Sequence, residues 1–357
     1  MVEFGSGIHR FQDLAWRHLS GENGITILLL WATVVFAGVV TYLRANPGHW
    51  SFGAFVRHFL PAEIFHHPSA RADFLFWLSR RIFMPLLVLP LVISTVAAGH
   101  FAYWLLSSLL GTPRHPVAPA GPVTLVAFTI SMLIAYDLSY YLYHRMQHRI
   151  PILWELHKVH HSAQVMIGVT KDRVHPIDEI MNRWWDGLIP GLCYGIWLFF
   201  ALDPVELTVF GINVYALRNI IVMMDFVRHT HLKLSYGRHL SAILLSPHYH
   251  QLHHSIAEKH WDKNFGLGLS VWDRMFGTLV VPEPDEDFVF GLTENEHDEY
   301  QSLYKLHILP LKKIAGRISL LGRRRETIRS DHPMPERPCE PQNRDRDGRT
   351  AVLGHQA

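Results

Sequence analysis

The feature that most limits how this chain can fold is a set of long apolar runs. Residues 24–43, GITILLLWATVVFAGVVTYL, contain no charged side chain, and about 20 such residues are what an α-helix needs to cross a bilayer. Further apolar runs occupy residues 82–110, 123–143 and 187–224. Because a spanning segment must satisfy its own backbone hydrogen bonds, runs of this length indicate helices. The sequence therefore predicts an all-α, multi-pass integral membrane bundle, in which residues 187–224 form a helical hairpin.

The overall composition agrees with a membrane protein. Of the 357 residues, 49% are hydrophobic and 18% are charged, and the formal net charge is +2. Lys and Arg form no stripe before the C-terminal region, so we expect no nucleic-acid partner. The two cysteines, Cys193 and Cys339, lie far apart, one in an apolar run and one in a polar tail. This excludes a disulfide framework and a cysteine metal site.

The basic residues between the apolar runs indicate an orientation, since Lys and Arg collect on the cytoplasmic side of membrane proteins. They lie in segments 44–81, 144–186 and 225–263, and we expect all three segments in the cytoplasm. The N-terminus and the loop at 111–122 then lie outside. This arrangement puts every group of histidines, and with them the active site, on the cytoplasmic side.

Five consecutive segments follow from these runs and from the polar stretches around them. We expect an N-terminal segment, a first set of membrane helices, a histidine-rich catalytic core in which a cytoplasmic helical cap joins the membrane helices, a peripheral C-terminal segment and a tail. Their bounds are 1–23, 24–121, 122–282, 283–321 and 322–357. The tail is charged, contains several prolines and has few large apolar residues, which is typical of disorder.

Histidine is the residue type with the most unusual distribution, because many of the 26 histidines lie in tight groups. HKVHH and HQLHH each place three imidazoles at the spacing i, i+3, i+4, which brings them to one side of a helical turn. HRMQH adds an i, i+4 pair, and RHTHLKL adds two more. The ten candidate metal ligands are His144, His148, His157, His160, His161, His229, His231, His250, His253 and His254.

Ten nitrogen donors exceed what one metal ion needs. A structural zinc takes four protein ligands and a catalytic zinc takes three, so this number fits two ions with four or five donors each. Imidazole suits iron, zinc, copper and nickel. The sequence has neither an HExxH motif nor the two-His-one-carboxylate pattern of mononuclear iron enzymes. We therefore predict a pair of redox-active irons. One HxxHH motif alone would fit a chance cluster or a zinc-scavenging surface, but two with an HxxxH pair do not.

From Asp137 to Thr278 the chain resembles the fatty acid hydroxylase/sterol desaturase superfamily of membrane di-iron enzymes. DLSYYLYHRMQHRIPILWELHKVHHS is similar to the family's D-x-x-x-Y-x-x-H-R-x-x-H element followed by H-x-x-H-H-S. RVHPIDE resembles its Arg-x-His-Pro-x-Glu element, with Asp178 where the glutamate is expected. SPHYHQLHHS, DKNFG and WDRMFGT resemble its closing segment.

The resemblance implies two non-haem irons held by the histidines, O₂ as cosubstrate, a membrane lipid as substrate and an external electron-transfer protein or reductase. A metal-bound histidine usually donates its other N–H to a carboxylate or carbonyl, and polar residues near the histidine groups are candidates for that supporting role. These candidates are Asp137, Tyr141, His175, Asp225 and Asn264. His175 is also a candidate ligand, and no catalytic residue is expected beyond the metal centre.

The expected function is O₂-dependent hydroxylation, or desaturation, at a C–H bond of a sterol, a fatty acyl chain or a related membrane lipid. The sequence contains no Rossmann glycine fingerprint, CxxC ferredoxin pattern or haem motif, so the electrons must come from a partner. The alternatives are a zinc-dependent membrane hydrolase and a non-catalytic lipid- or metal-binding membrane protein. A metal transporter is disfavoured, because the runs 24–43 and 187–202 contain no polar ligands.

Overall fold

The chain was analysed as a computed structural model. The residues described are 24–88, 95–113, 121–201, 208–209, 212–213, 224–283, 286–293, 296 and 298–331. They belong to two compact units, Met1–Ile314 and Ala315–Ala357. All the candidate site residues lie in the first unit, and the second contains the end of the last helix. The predicted N-terminal segment, residues 1–23, lies outside the described residues.

The described part of the chain is almost entirely helical. Its α-helices are α1 Gly24–Ala45, α2 Phe52–Phe59, α3 Ala62–Phe65, α4 Pro68–Val88, α5 Thr95–Leu110, α6 Pro122–Arg149, α7 Pro151–His161, α8 Pro176–Ala201, α9 Gly237–Ser241, α10 Pro247–His253, α11 Val271–Met275 and α12 Leu303–Asp331. Residues 224–228 are also helical, and short 3₁₀ turns cover Val169–Asp172 and Glu258–His260. One antiparallel pair joins β1 Thr208–Val209 to β2 Ile212–Asn213.

Prolines set the helix boundaries that matter for the site. A proline fits the first turn of a helix, where its missing N–H is not needed, and it disfavours helical backbone in the residue before it. Ile150 precedes Pro151 and is extended, with φ −98° and ψ 115°, so α6 ends there and α7 starts anew. Pro176 and Pro247 likewise open α8 and α10. The histidines of α6 and α7 therefore lie on separate helices that pack together.

Helices α5 and α8 approach each other through small residues. A Cβ built on Gly195 would lie 2.5 Å from the Cβ of Ala102 and 2.5 Å from the carbonyl oxygen of Gly99. A Cβ on Gly191 would lie 2.4 Å from the Cβ of Ala98. The G-x-x-x-G spacing in α8 thus permits backbone contact with α5, a kind of packing common between membrane helices. This contact fixes α8, whose first turns border the histidine site.

A buried ion pair ties α4 to the end of α7. Arg173 and Asp73 are both fully buried, with Nη1 and Oδ1 2.8 Å apart. The same guanidinium donates to the Ser162 hydroxyl, which directly follows the last histidine of α7, and to the carbonyl of Tyr300. Thr170 donates to the second oxygen of Asp73. Arg173 therefore holds the histidine-bearing end of α7 in place.

One described helix, Pro122–Arg149, is long and apolar enough to cross a bilayer. Leu30–Ala45 and Thr95–Leu110 are apolar but shorter. The multi-pass arrangement, the cytoplasmic cap and the orientation stay predictions.

Two expectations from the sequence need correction. The helical hairpin predicted over 187–224 is wrong at its second arm, because residues 208–209 and 212–213 form strands. Three of these four residues are β-branched, which favours strand. The tail is helical through 322–331 rather than disordered, since its Arg and Glu residues favour helix and its first proline comes only at 333. Residues 202–207, 210–211, 214–223 and 332–357 lie outside the described residues.

Candidate metal centre

Nine histidine side chains converge in two groups. The first group is His144, His148, His157, His161 and His253; the second group is His160, His229, His250 and His254. Within each group, one ring nitrogen from every member lies within 4.8 Å of all the others. All are buried except His148, which is partly buried. Segments far apart in the sequence thus meet at one place.

The two HxxHH motifs divide between the groups in opposite ways. In α7, His157 and His161 join the first group, while His160 joins the second. In α10 and its C-cap, His250 and His254 join the second group, while His253 joins the first. Each helix therefore gives its i, i+4 pair to one group and its third imidazole to the other, because positions three and four apart lie on slightly different lines of the same face.

Every member of the first group has an unsatisfied Nε2 atom. All five are buried and have no hydrogen-bond partner among the described residues. In two of them the opposite nitrogen is occupied by a backbone carbonyl: Nδ1 of His144 lies 2.8 Å from the carbonyl of Phe265, and Nδ1 of His253 lies 2.6 Å from the carbonyl of Lys263. Since a carbonyl only accepts, these rings carry their proton on Nδ1 and present a lone pair at Nε2. Five buried Nε2 atoms without a partner in one place fit a cation.

The second group is packed still more closely. Nε2 of His229 lies 3.1 Å from Nε2 of His160 and 3.1 Å from Nε2 of His250, and the His250–His254 distance is 3.2 Å. Nδ1 of His229 donates to the carbonyl of Asp225 at 2.7 Å, which leaves its Nε2 as a lone pair. Two nitrogens bound to one ion at about 2.1 Å and at right angles lie about 3.0 Å apart. The spacing of the four nitrogens fits one shared metal ion.

Burial keeps these imidazoles neutral. It lowers the pKa values of His160, His161, His250 and His254 well below their ordinary value of 6.5 and that of His253 to about 3, and the neighbouring imidazoles contribute. A histidine binds a metal only in its unprotonated form. The site is therefore ready to accept a cation at neutral pH.

The two groups are contiguous. The rings of His161 and His254, one from each group, stack with centroids 4.4 Å apart. The rings of His157 and His160 are 5.4 Å apart. Ions held by the two groups would be neighbours, as a di-metal centre requires.

His231 does not belong to either group, so its prediction as a metal ligand is corrected. Its Nε2 lies 3.0 Å from the carbonyl of His58, and its ring meets Phe65 edge-on. Thr230 forms a bridge with Ile167 and the backbone bends at 231, which sends this ring away from that of His229. His229 and His231 are two residues apart and do not lie in a helix, so their spacing does not predict that the two rings point the same way.

His175 caps helix α8 and does not contact the nine imidazoles. Its Nδ1 accepts the N–H of Ile177 at 3.2 Å, and its Nε2 donates to the carbonyl of His307 at 3.0 Å. Both ring nitrogens are therefore occupied by protein groups, which corrects its expected place as a ligand or as direct support for one.

Asp137 and Tyr141 act at a distance from the imidazoles, contrary to the expectation of direct support. Asp137 accepts the N–H of Gly268 at 2.7 Å and the indole N–H of Trp272 at 2.8 Å. Tyr141 hydrogen-bonds to the Thr278 hydroxyl at 3.1 Å. Both stabilise the closing segment rather than a histidine.

Asn264 also works through the backbone. Its φ of 55° is left-handed, a conformation that asparagine tolerates better than most residues. Its amide donates to the carbonyls of Tyr249 and Val280 at 2.9 and 2.8 Å. The carbonyls on either side of it, those of Lys263 and Phe265, receive the Nδ1 protons of two first-group histidines. Asn264 therefore shapes the loop that orients them.

Two carboxylates do contact the histidines directly. Asp225 binds His229 as expected, through its carbonyl and with Oδ1 3.4 Å from the ring Nδ1. Asp178 was not among the candidates, yet its Oδ2 lies 3.3 Å from Nδ1 of His157. It is fully buried and also accepts from the Tyr143 hydroxyl and the Gln147 amide, at 2.6 and 2.7 Å. Asp178 occupies the position in RVHPIDE at which the family's element has glutamate, and this was the signal that could have found it.

Comparison with known proteins agrees with this geometry. Residues 129–278, which contain all nine histidines, match the family described as fatty acid hydroxylase. Over this region, which is less than half of the chain, the sequence is similar to that family.

Several curated relatives are similar over part of their length. Alkylglycerol monooxygenase of Danio rerio is 32% identical over 44% of this chain and 31% of its own. Ornithine lipid hydroxylase OlsE of Rhizobium tropici is 26% identical, over 57% of this chain and 54% of its own. Lathosterol oxidase of Homo sapiens is 26% identical, over 51% and 56%. The chain thus spans about a third to a half of the relatives it matches. No solved structure gives a significant match.

Two cavities among the described residues lead to these histidines. The larger, about 310 Å³, is lined by His148, His161 and His253 of the first group together with Trp154 and Trp261. The smaller, about 160 Å³, is lined by histidines of both groups, His157, His160 and His229. The histidines can therefore be reached from two separate cavities.

Proposed function

We propose that this chain is a membrane-bound, O₂-dependent di-iron oxidoreductase that hydroxylates a C–H bond of a membrane lipid. The observation that carries the proposal is the convergence of nine imidazoles in groups of five and four, with the five Nε2 atoms of the first group buried and unsatisfied. The similarity of residues 129–278 to the fatty acid hydroxylase family supports it.

Iron is favoured over zinc by the number of donors. A catalytic zinc is usually held by three protein ligands and keeps one position open, whereas these groups offer five and four. Each group consists of imidazoles alone, a donor type that suits iron as well as zinc. When bound, a pair of irons would supply the redox chemistry needed to activate O₂. A zinc-dependent hydrolase is accordingly the weaker alternative.

The protein's own part is to hold and shield this centre. Asp178, Asp225 and the carbonyls of Lys263 and Phe265 bind the outer nitrogens of ligand histidines, and such contacts fix ring orientation and raise ligand basicity. Burial of the groups keeps bulk water away from the reaction, which limits side reactions of reactive intermediates.

Hydroxylation replaces the C–H bond of the lipid with a C–O–H group. One oxygen atom of O₂ enters the product and the other leaves as water, which consumes two protons and two electrons. We infer that an external electron-transfer protein or reductase supplies the electrons and that the site faces the cytoplasm. The relatives named monooxygenase and hydroxylase favour oxygen insertion, and the similarity to lathosterol oxidase makes oxidation of a sterol the second candidate.

The test combines metal analysis with isotope labelling. Full-length protein purified without oxygen is analysed for metals, and lipids of a host with and without the gene are compared under ¹⁸O₂. We expect two irons per chain and a product lipid that gains one ¹⁸O atom. Zinc in place of iron, or no labelled lipid with iron fully loaded, would contradict the proposal. A product lighter by two hydrogens would indicate desaturation instead.

A further inference from the structure

The smaller cavity has charged walls, although it opens on histidines of both groups. Three basic side chains line it: Arg80, Lys171 and Arg183. Four acidic side chains also line it: Asp172, Glu179, Asp186 and Asp225. The larger cavity, by contrast, includes Trp154, Trp261, Ile256 and Leu292. The route that reaches both groups is therefore the more highly charged of the two.

Ion pairs hold these charged walls in place. Arg80 lies 3.5 Å from Asp172 and 3.2 Å from Glu179, and Arg183 binds the same glutamate at 2.8 Å. Lys171 lies 3.1 Å from Asp172. A lysine has three N–H donors and an arginine five. The contacts of Arg183 with Glu179 use its Nε and Nη2, and its side chain is 49% exposed. The pairs thus order the wall while leaving donors for a ligand.

An apolar stripe on α8 begins beside this cavity. Trp184, Leu188, Leu192, Ile196 and Phe200 occupy every fourth position and are all exposed. Trp184 directly follows Arg183 in sequence. At 1.5 Å per residue the stripe extends about 24 Å, which is about the length of a lipid chain of common size. Exposed apolar area of this kind fits hydrocarbon rather than water.

We propose that the smaller cavity binds the zwitterionic headgroup of the substrate lipid and that the oxidised carbon lies within a few bonds of that headgroup. The acyl or alkyl chain then lies along the α8 stripe. This inference rests on the proposed function and names the substrate class for the same site.

Two physical reasons support this assignment. A hydrocarbon tail in the cavity would desolvate charged groups without replacing their hydrogen bonds, which is unfavourable. A headgroup with an acidic and an ammonium group instead complements basic and acidic walls alike. With the headgroup in about 160 Å³ beside His157, His160 and His229, only carbons near it can reach the centre.

The position of the inserted oxygen tests the inference. Iron-loaded full-length protein in nanodiscs is given ¹⁸O₂, an electron donor and one of four probes: phosphatidylethanolamine, an ornithine-containing lipid, uncharged 1-O-hexadecylglycerol or lathosterol. We expect a zwitterionic probe to be oxidised at least tenfold more efficiently, with ¹⁸O in the headgroup or the first few carbons by fragmentation mass spectrometry. A preference for an uncharged probe, or ¹⁸O far along the chain, would overturn the inference but not the proposed function. The absence of ¹⁸O from every probe would count against the proposed function itself.

Variants separate the cavity from general effects of charge. Arg183→Gln and Lys171→Gln are each expected to raise KM for the zwitterionic probe about tenfold and to leave that for 1-O-hexadecylglycerol unchanged. Native mass spectrometry of the unreacted protein is expected to show the same loss of bound zwitterionic lipid at equal iron content. Lys233→Gln, which removes an exposed ion pair with Asp287 away from the cavity, is the matched control. Equal KM values in all three variants would overturn the headgroup assignment.

Discussion

Nε2 of His160 and Nε2 of His229 lie 3.1 Å apart, although 69 positions separate the two residues. The Nδ1 of His229 is committed to the carbonyl of Asp225, so its Nε2 offers only a lone pair. His250 brings a further Nε2 to the same atom at 3.1 Å. If these nitrogens all present lone pairs, a cation among them would remove their mutual repulsion. The contact between the two histidines thus fits a cation site formed by the second group.

Removal of a second-group histidine is expected to cost one metal ion. His254→Ala deletes one of four donors in that group, while the first group keeps all five. We expect iron content measured by elemental analysis to fall from about two ions per chain towards one, with turnover lost. His231→Ala is the matched control, because this ring binds the carbonyl of His58 instead. Full iron in His254→Ala, or lost iron in His231→Ala, would disprove the assignment.

Asp178→Asn tests the role of the carboxylate beside His157. The change removes the charge 3.3 Å from Nδ1 of His157, and loss of such support typically weakens metal binding by about 10- to 100-fold. Competition with a chelator measures the affinity. Tyr143→Phe removes one hydrogen bond to Asp178 without touching the histidine, and a smaller effect is expected. Equal affinities in the wild type and Asp178→Asn would show that this carboxylate supports packing alone.

Breaking the ion pair behind α7 is expected to destabilise the protein strongly. Asp73→Asn leaves the fully buried guanidinium of Arg173 without its countercharge, a change that costs about 3–5 kcal/mol when one partner of a buried pair is removed. Thermal unfolding in detergent measures it. Asp287→Asn removes an exposed pair with Lys233 and is expected to leave the unfolding temperature unchanged. Similar unfolding temperatures for the two variants would contradict the role of Arg173.

His175 is expected to make stability depend on pH. Burial lowers its pKa below the ordinary 6.5, although its bond to the His307 carbonyl opposes this. The unfolded state therefore binds a proton that the folded state excludes, and stability falls as pH decreases from about 6.5 towards the lowered folded-state pKa. An asparagine at position 175 can also cap α8, and its side chain does not titrate. We expect the difference in unfolding temperature between the wild type and His175→Asn to shrink from pH 7 to pH 5. If the difference in unfolding temperature were the same at pH 7 and pH 5, His175 would not be the source of the pH dependence.

The close approach of α5 and α8 predicts intolerance to a single methyl group. In Gly195→Ala the new Cβ would lie 2.5 Å from the carbonyl oxygen of Gly99, and backbone cannot yield as a side chain can. Overpacking of this kind costs about 1–3 kcal/mol. Gly53→Ala is the control in a helix, since its nearest neighbouring atom is 3.6 Å away. We expect a lower unfolding temperature for Gly195→Ala and an unchanged one for Gly53→Ala. A larger decrease for Gly53→Ala would contradict the close packing of α5 and α8.

Local patterns in the sequence were enough to predict a mostly helical chain and to single out the nine imidazoles that converge. The i, i+3, i+4 spacing of HKVHH and HQLHH is a property of any helical turn, and the apolar runs limited the backbone to helices. The RVHPIDE element contains Asp178, which contacts His157. A sequence element does not show which way a side chain points. The same limit explains His231, which shares a short motif with His229 and yet points elsewhere.

The sequence alone determined that the candidate metal ligands are imidazoles and how they are spaced along each helix, because that spacing depends on residues only a few positions apart. Only the tertiary structure decided how the two HxxHH motifs divide between the groups, that Asp178 meets His157, and that charged walls surround the approach to both groups. Those features depend on the break at Ile150–Pro151, on the Arg173–Asp73 pair and on the packing of α8. Such contacts join residues distant in sequence, and their geometry is set by packing as a whole rather than by local preference.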